Sequence, residues 1–71
     1  MDEIKLSDVV ALVEDLPTEG LRRGEVGTVV EQWKEGVLEV EFSDDSGKAY
    51  AFAALRPEQI MKLHFRKDQA A

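Results

Sequence analysis

The sequence contains no cysteine and only one histidine, His64. Without thiols the chain cannot form disulfides, thiolate zinc sites or a cysteine nucleophile, and a single histidine has no second imidazole with which to share a metal. No apolar run approaches the roughly 20 residues that span a bilayer, and the acidic start at Met1 to Glu3 is unlike the basic segment of a signal peptide. We therefore expect a cytoplasmic protein with no cofactor, no metal and no membrane contact.

Cations are also few. Nine lysines and arginines stand against 15 acidic residues, which gives a formal charge of −6. Contacts with phosphate supply most non-specific affinity for nucleic acid, and an acidic chain repels phosphate, so we do not expect a nucleic-acid partner. The negative charge instead favours a basic protein as the partner. The 71 residues predict one domain over 1–71. A hydrophobic core of this size rarely contributes more than about 3–5 kcal/mol to the free energy of unfolding. We therefore expect a partner subunit, which could be a second copy of the chain, to stabilise the fold.

The stretch around which the chain is organised runs from Leu21 to Trp33 and contains Gly24 and Gly27. Glycine can adopt φ > 0 or let the backbone pass close to another strand, and the β-branched residues that follow favour extended geometry. We predict a structural bend that feeds a strand. A phosphate-binding loop is the alternative, but the pair lacks the lysine of a P-loop and precedes a strand rather than a helix.

Apolar alternation and turn residues predict five strands. The predicted strands are 8–14, a glycine-led segment that ends near Trp33, 37–42, 49–54 and 60–65. The fourth is alanine-rich and helical by propensity, but its alternation with Tyr50 and Phe52 favours a strand. Residues 55–59 predict a single turn of 3₁₀-helix because Pro57 suits its first position. The core is expected at about 6–65, with 66–71 as a disordered tail.

Five short strands with one 3₁₀ turn before the last predict an all-β fold, a small five-stranded SH3-like barrel. The run from Leu21 to Val30 is similar to the KOW-type variant of that barrel. Four segments in order carry a closer resemblance: 8–12 (Asp-Val-Val-Ala-Leu), 14–17 (Glu-Asp-Leu-Pro), 24–31 and 39–42. Over about residues 6–63 the chain resembles a family of small bacterial domains, domain of unknown function 4926. That resemblance implies the fold and no activity.

Four residues are candidates for an interaction surface: Arg22, Arg23, Trp33 and Tyr50. The two arginines with Lys34 could form a basic patch beside Trp33, although neighbouring glutamates favour a solvated loop. For Trp33 at a strand end we favour a position that caps the core. If Trp33 is instead exposed with Tyr50 near it, the two aromatic side chains would be interface anchors, because aromatic residues dominate binding hot spots.

Other polar residues favour structural roles. Asp44 and Asp45 lack the ligand spacing of a calcium loop and are typical of a turn. Glu39 and Glu41 lie about 7 Å apart on one strand face, which predicts a solvent-facing position rather than a catalytic pair. For His64 we expect a structural or exposed position. We identify no catalytic residues and predict that the chain is not an enzyme.

The sequence thus leads to a non-catalytic protein-interaction or accessory module. A nucleic-acid- or ribosome-associated module of the KOW-like kind is the alternative, favoured by the glycine-led strand and opposed by the charge.

Overall fold

The computed structural model of the chain describes residues 3–65, and within them five antiparallel strands form one sheet in the order β4-β3-β2-β1-β5. The strands are β1 (Val9–Leu12), β2 (Val26–Gln32), β3 (Leu38–Ser43), β4 (Ala49–Leu55) and β5 (Ile60–Lys62). The all-β class and the five strands are confirmed. The sheet is not closed, since β4 and β5 are its two edges. No helix in this part of the chain is long and apolar enough to cross a membrane.

Several boundaries differ from those predicted. The strand expected at 8–14 ends at Leu12, and the strand expected at 60–65 ends at Lys62. The alanine-rich fourth segment is a strand, as its alternation predicted. A tail was predicted at 66–71, which lies outside the described residues.

The described residues contain three 3₁₀ turns, Pro17–Glu19, Lys34–Gly36 and Pro57–Gln59, so the turn predicted before the last strand is confirmed and two others precede it. The third has the predicted position. In the first, proline begins the turn and Gly20, at φ 72°, ends it in the left-handed region. The second is not helical throughout, because φ is positive at both Glu35 and Gly36, and these two residues close the β2–β3 hairpin.

One face of the sheet carries the hydrophobic core, which we call the inner face. Its fully buried side chains include Val10, Leu12, Val29, Val40 and Phe42. They lie on the three central strands, and alternation along β3 is what directs Val40 and Phe42 to the same side. Burial of these apolar side chains is the main source of the domain's stability.

The two glycines of the organising stretch have different geometries. Gly24 has φ 95°, in the left-handed region, and nothing would touch a Cβ built on it. Gly27 lies opposite Phe42, and a Cβ there would be 2.6 Å from Val40 Cγ1 and 2.8 Å from the Glu41 carbonyl oxygen. Gly24 therefore permits the turn, and Gly27 lets β2 pass close to β3.

Two bulges interrupt the pairing of β3 with its neighbours. One lies at Val30, where β2 advances two residues while β3 advances one, and it brings Glu31 opposite Glu39. The other lies at Tyr50, where β4 gains a residue relative to β3. The bulge at Val30 determines which residues lie on the face of the sheet opposite the core.

Candidate functional site

The face of the sheet opposite the core carries an unusual set of acidic and aromatic side chains, some exposed and some half-buried. Glu41 lies between Thr28 on β2 and Phe52 on β4, in one row across the sheet. The next row contains Glu31 and Glu39. Together with Trp33, which follows β2, these residues form a surface that we call the acidic outer face: Glu31, Trp33, Glu39, Glu41 and Phe52.

The negative charges of this face are concentrated. Glu31 and Glu39 lie directly opposite each other on neighbouring strands, and Glu41 follows on the same face about 7 Å further along β3. Like charges in opposite cross-strand positions destabilise a sheet. Across residues 3–65 no lysine or arginine forms an ion pair with any of the three glutamates. The sheet therefore holds three carboxylates close together, and no cation among residues 3–65 is paired with them.

The position of Trp33 corrects the preferred prediction for it. Its side chain is 53% exposed and does not cap the core. Its backbone is extended, with φ −95° and ψ 170°, and its N–H donates to the Val37 carbonyl at 2.7 Å. Trp33 thus continues the alternation of β2 on the side of Glu31, and its indole Nε1–H donates to Glu39 Oε1 at 3.2 Å. The end of the core is filled instead by the buried pair Leu38 and Leu55.

Tyr50 lies at the other end of β3 from Trp33, about 17 Å away by strand rise. Its ring centre is 6.5 Å from that of the buried Phe42, and its hydroxyl donates to Glu25 Oε1 at 2.6 Å. This hydrogen bond raises the pKa of Tyr50 and, as the largest cause, lowers the pKa of Glu25. Tyr50 is 51% exposed, but it does not form a common site with Trp33.

Arg22 and Arg23 are exposed in the loop before β2. Their backbone N–H groups donate to Glu25 Oε2 at 2.7 Å and to Asp15 Oδ1 at 2.9 Å. The two carboxylates therefore shape the loop. Lys34 follows β2, so the length of that strand, about 20 Å, separates it from the arginines. The structure does not bring the arginines together with Lys34 to form one basic patch.

The remaining candidates from the sequence are Asp44, Asp45 and His64. Asp44 Oδ1 accepts hydrogen bonds from the Ser46 N–H at 2.9 Å, the Ser46 hydroxyl at 2.7 Å and the Lys48 N–H at 3.1 Å. The Ser46 side chain is the largest cause that lowers the pKa of Asp44. Asp45 is exposed in the same turn, and His64 is exposed after β5. In residues 3–65 no three histidine or acidic side chains are grouped so that they could hold a metal.

Sequence reasoning did not assign Glu31 or Phe52 to the candidate surface. Phe52 alternates with Ala51 and Ala53, so its side of β4 could have been read from the pattern. Glu31 could not, because strict alternation from the buried Val29 would have placed Glu31 on the inner face, and only the bulge at Val30 turns it outward.

The fold and this surface define a small all-β domain built on a single antiparallel sheet with one buried and one acidic face. The model of the family described as Domain of unknown function (DUF4926) matches residues 6–62. The chain belongs to that family, and the resemblance expected from its sequence is confirmed to that extent. No curated protein and no solved structure matches the chain.

Proposed function

We propose that the chain is a non-catalytic interaction module that binds a basic protein through its acidic outer face. The observation that carries this proposal is the direct opposition of Glu31 and Glu39, with Glu41 beside them and no cation of the described residues paired with any of them. Such a pair costs stability in the isolated domain. A lysine or arginine from a partner would relieve that cost on binding.

The aromatic residues of the face favour a protein partner. Trp33 and Phe52 are both more than half exposed, at 53% and 55%. Trp33 adjoins Glu39, and Phe52 lies opposite Glu41, so each aromatic ring accompanies a carboxylate. Aromatic side chains are frequent anchors of protein interfaces, and a tryptophan face also attracts cations. The net charge of −6 would steer a basic partner toward the domain.

The carboxyl groups with shifted pKa values favour a structural rather than a catalytic role. The pKa is lowered for Asp8, Glu25 and Asp44, in each case with a hydrogen bond as the largest cause. A carboxyl that acts as a general acid near neutral pH needs a raised pKa instead. These three groups are stable anions that hold loops in place.

Cytoplasmic location stays a prediction from the sequence.

We also propose that the sheet is a half-open barrel of the SH3-like kind. The support is the strand order, in which β1 pairs with both β2 and β5 while β2, β3 and β4 form consecutive hairpins. The 3₁₀ turn Pro57–Gln59 directly before β5 agrees with this arrangement.

The test is an affinity pull-down from native lysate with the tagged 71-residue chain, with and without nuclease. The wild type is compared with two variants that each remove one negative charge. Glu39→Gln lies on the acidic outer face, and Glu58→Gln, an exposed residue of the third 3₁₀ turn, is the matched control. We expect the wild type and the control to retain the same basic protein whether or not nuclease is present, and Glu39→Gln to lose most of it.

Binding should also weaken as salt is raised, because screening reduces attraction between exposed charges. Equal retention by Glu39→Gln and the wild type would show that the partner uses another surface. Loss of the bound material on nuclease treatment would replace this proposal with the nucleic-acid-associated alternative.

A further inference from the structure

The two edges of the sheet are protected to very different degrees. β5 has three residues, contains Lys62, which is paired with Asp8 at 3.3 Å, and directly follows the turn that begins at Pro57. β4 has seven residues, Ala49 to Leu55, with no charged residue and no proline. Short length, charge and proline are the devices by which proteins prevent an edge strand from pairing with another chain. β4 has none of these three, and its bulge lies at one end.

We propose that β4 pairs antiparallel with β4 of a second copy of this chain, so that two five-stranded sheets become one sheet of ten strands. The pairing of β4 with β3 is regular over five consecutive residue pairs, from Leu38–Leu55 to Phe42–Ala51. A regular strand presents alternate N–H and C=O groups along its free edge. Within residues 3–65 nothing pairs with that edge of β4.

The alternation of β4 fixes the register of such a pair. Residues directly opposite in an antiparallel pair share a face, so the two-fold axis must pass through a residue rather than between two residues. An axis at Phe52 relates all seven residues of the strand, with the bulged Tyr50 near one end of each copy, whereas an axis at Ala51 or Ala53 relates only five. It also places the two Phe52 rings opposite each other on the outer face, a favourable aromatic cross-strand pair.

Charge argues for the edge, rather than for a face, as the contact between identical copies. Two copies of a chain with charge −6 repel each other, and contact through the acidic outer face would bring six glutamates together. Residues 49–55 carry no charge, so contact along β4 opposes no like charges within the paired strands, and the nearest charged residues are Lys48 and Arg56 at its ends. In this register Lys48 of one copy faces Arg56 of the other at each end, so added salt should strengthen the dimer.

The experiment measures molar mass by sedimentation velocity from about 10 µM to about 1 mM, because the pairing of a single strand makes a small and therefore weak interface. The expected result is a rise from 8.0 kDa toward twice that mass with concentration, and a rise that begins at lower concentration in high salt. Hydrogen exchange at the amides of 49–55 should slow over the same concentration range, while exchange at β5 should not.

A matched pair of variants locates the contact. Phe52→Lys places two lysines opposite each other at the proposed axis, and Met61→Lys makes the same change on the other edge, at a side chain of nearly equal exposure, 52% against 55%. Circular dichroism checks that both variants are folded. Phe52→Lys should stay at 8.0 kDa where the wild type and Met61→Lys dimerise.

A wild type that stays monomeric to about 1 mM, or a dimer that Phe52→Lys leaves intact, would overturn the proposal. So would protection of the β4 amides only in the presence of a different protein. The outcome is separable from the binding of a basic partner, because that binding is expected to weaken with salt and to be lost in Glu39→Gln, while self-pairing is expected to strengthen with salt and to persist in Glu39→Gln.

Discussion

Phe42 and Phe52 show how different the two faces of this sheet are. Both lie on regular stretches of neighbouring strands, yet Phe42 is fully buried on the inner face and Phe52 is 55% exposed on the outer face. The inner ring packs among aliphatic side chains, whereas the outer ring lies opposite Glu41. The inner face stabilises the fold by burying apolar side chains. The outer face lowers that stability, because it holds three glutamates close together.

That difference separates the residues that make the domain from those that we propose to give it a function. Natural sequences depart from local stability rules mainly where function requires it. The opposition of Glu31 and Glu39 is such a departure, whereas every described position of the buried cluster is apolar. Substitutions on the two faces should therefore affect different measurements.

The largest effect is expected from truncation of the same side chain on the two faces. Phe42→Ala should lower the free energy of unfolding by about 3–5 kcal/mol, because it removes a fully buried ring and leaves a cavity. Since a core this small supplies a similar total, the variant should be largely unfolded. Phe52→Ala, the control, should cost less than about 1 kcal/mol. Urea denaturation followed by circular dichroism measures both, and similar losses would mean that the faces are not energetically distinct.

A second comparison concerns the two glycines at the start of β2. Gly27→Ala should cost about 2–3 kcal/mol by overpacking, because the new Cβ meets the Glu41 carbonyl oxygen, which is backbone and cannot rotate away. Gly24→Ala has open space around it and should cost only about 1–2 kcal/mol, from strain at positive φ. Thermal and urea unfolding test the order. A larger loss for Gly24→Ala would show that strain in the turn matters more than the close approach of β2 to β3.

On the acidic outer face we expect a change of opposite sign. Glu31→Gln removes one of two directly opposed charges and should raise the free energy of unfolding by about 0.2–1 kcal/mol at low salt. The gain should shrink in high salt, where the repulsion is already screened. Glu58→Gln removes the same charge away from this face and should change stability less. A destabilised Glu31→Gln would contradict the view that the pair is unfavourable in the isolated domain.

The smallest expected effect is a pH dependence of the stability that comes from the hydrogen bond between Tyr50 and Glu25. The Tyr50 hydroxyl lowers the pKa of Glu25, so the bond stabilises the fold above the unfolded pKa of Glu25 and is lost as pH falls through the folded one. The stability difference between the wild type and Tyr50→Phe should therefore be present at pH 7, decline as pH falls through the ordinary carboxyl range and vanish below the lowered pKa of Glu25.

The same difference should decline again above about pH 10 and vanish once the pH exceeds the raised pKa of Tyr50, because the tyrosine is then ionised. The phenylalanine ring can keep the contact with Phe42, so packing is controlled for. A difference that stayed constant from pH 3 to pH 7 would show that the hydrogen bond contributes nothing.

The sequence by itself determined the all-β class, the five strands and the family. Alternation placed Leu38, Val40 and Phe42 on one side of β3 and Glu39 and Glu41 on the other, since side chains along a strand repeat every two residues. It also identified the fourth segment as a strand against the helical propensity of alanine. These conclusions hold because they depend on local periodicity, which a linear pattern contains.

Only the tertiary structure decided which residues meet on the outer face. The bulge at Val30 puts Glu31 on the side opposite to the one that strict alternation from Val29 would give, and Trp33 follows on the same side as Glu31. A bulge has no periodic signature in the sequence. The structure also places Trp33 and Tyr50 far apart. Strand pairing puts Tyr50 beside the end of β3, whereas Trp33 lies beside its beginning. The acidic outer face is a product of register, and register is set by contacts between strands that are distant in the chain.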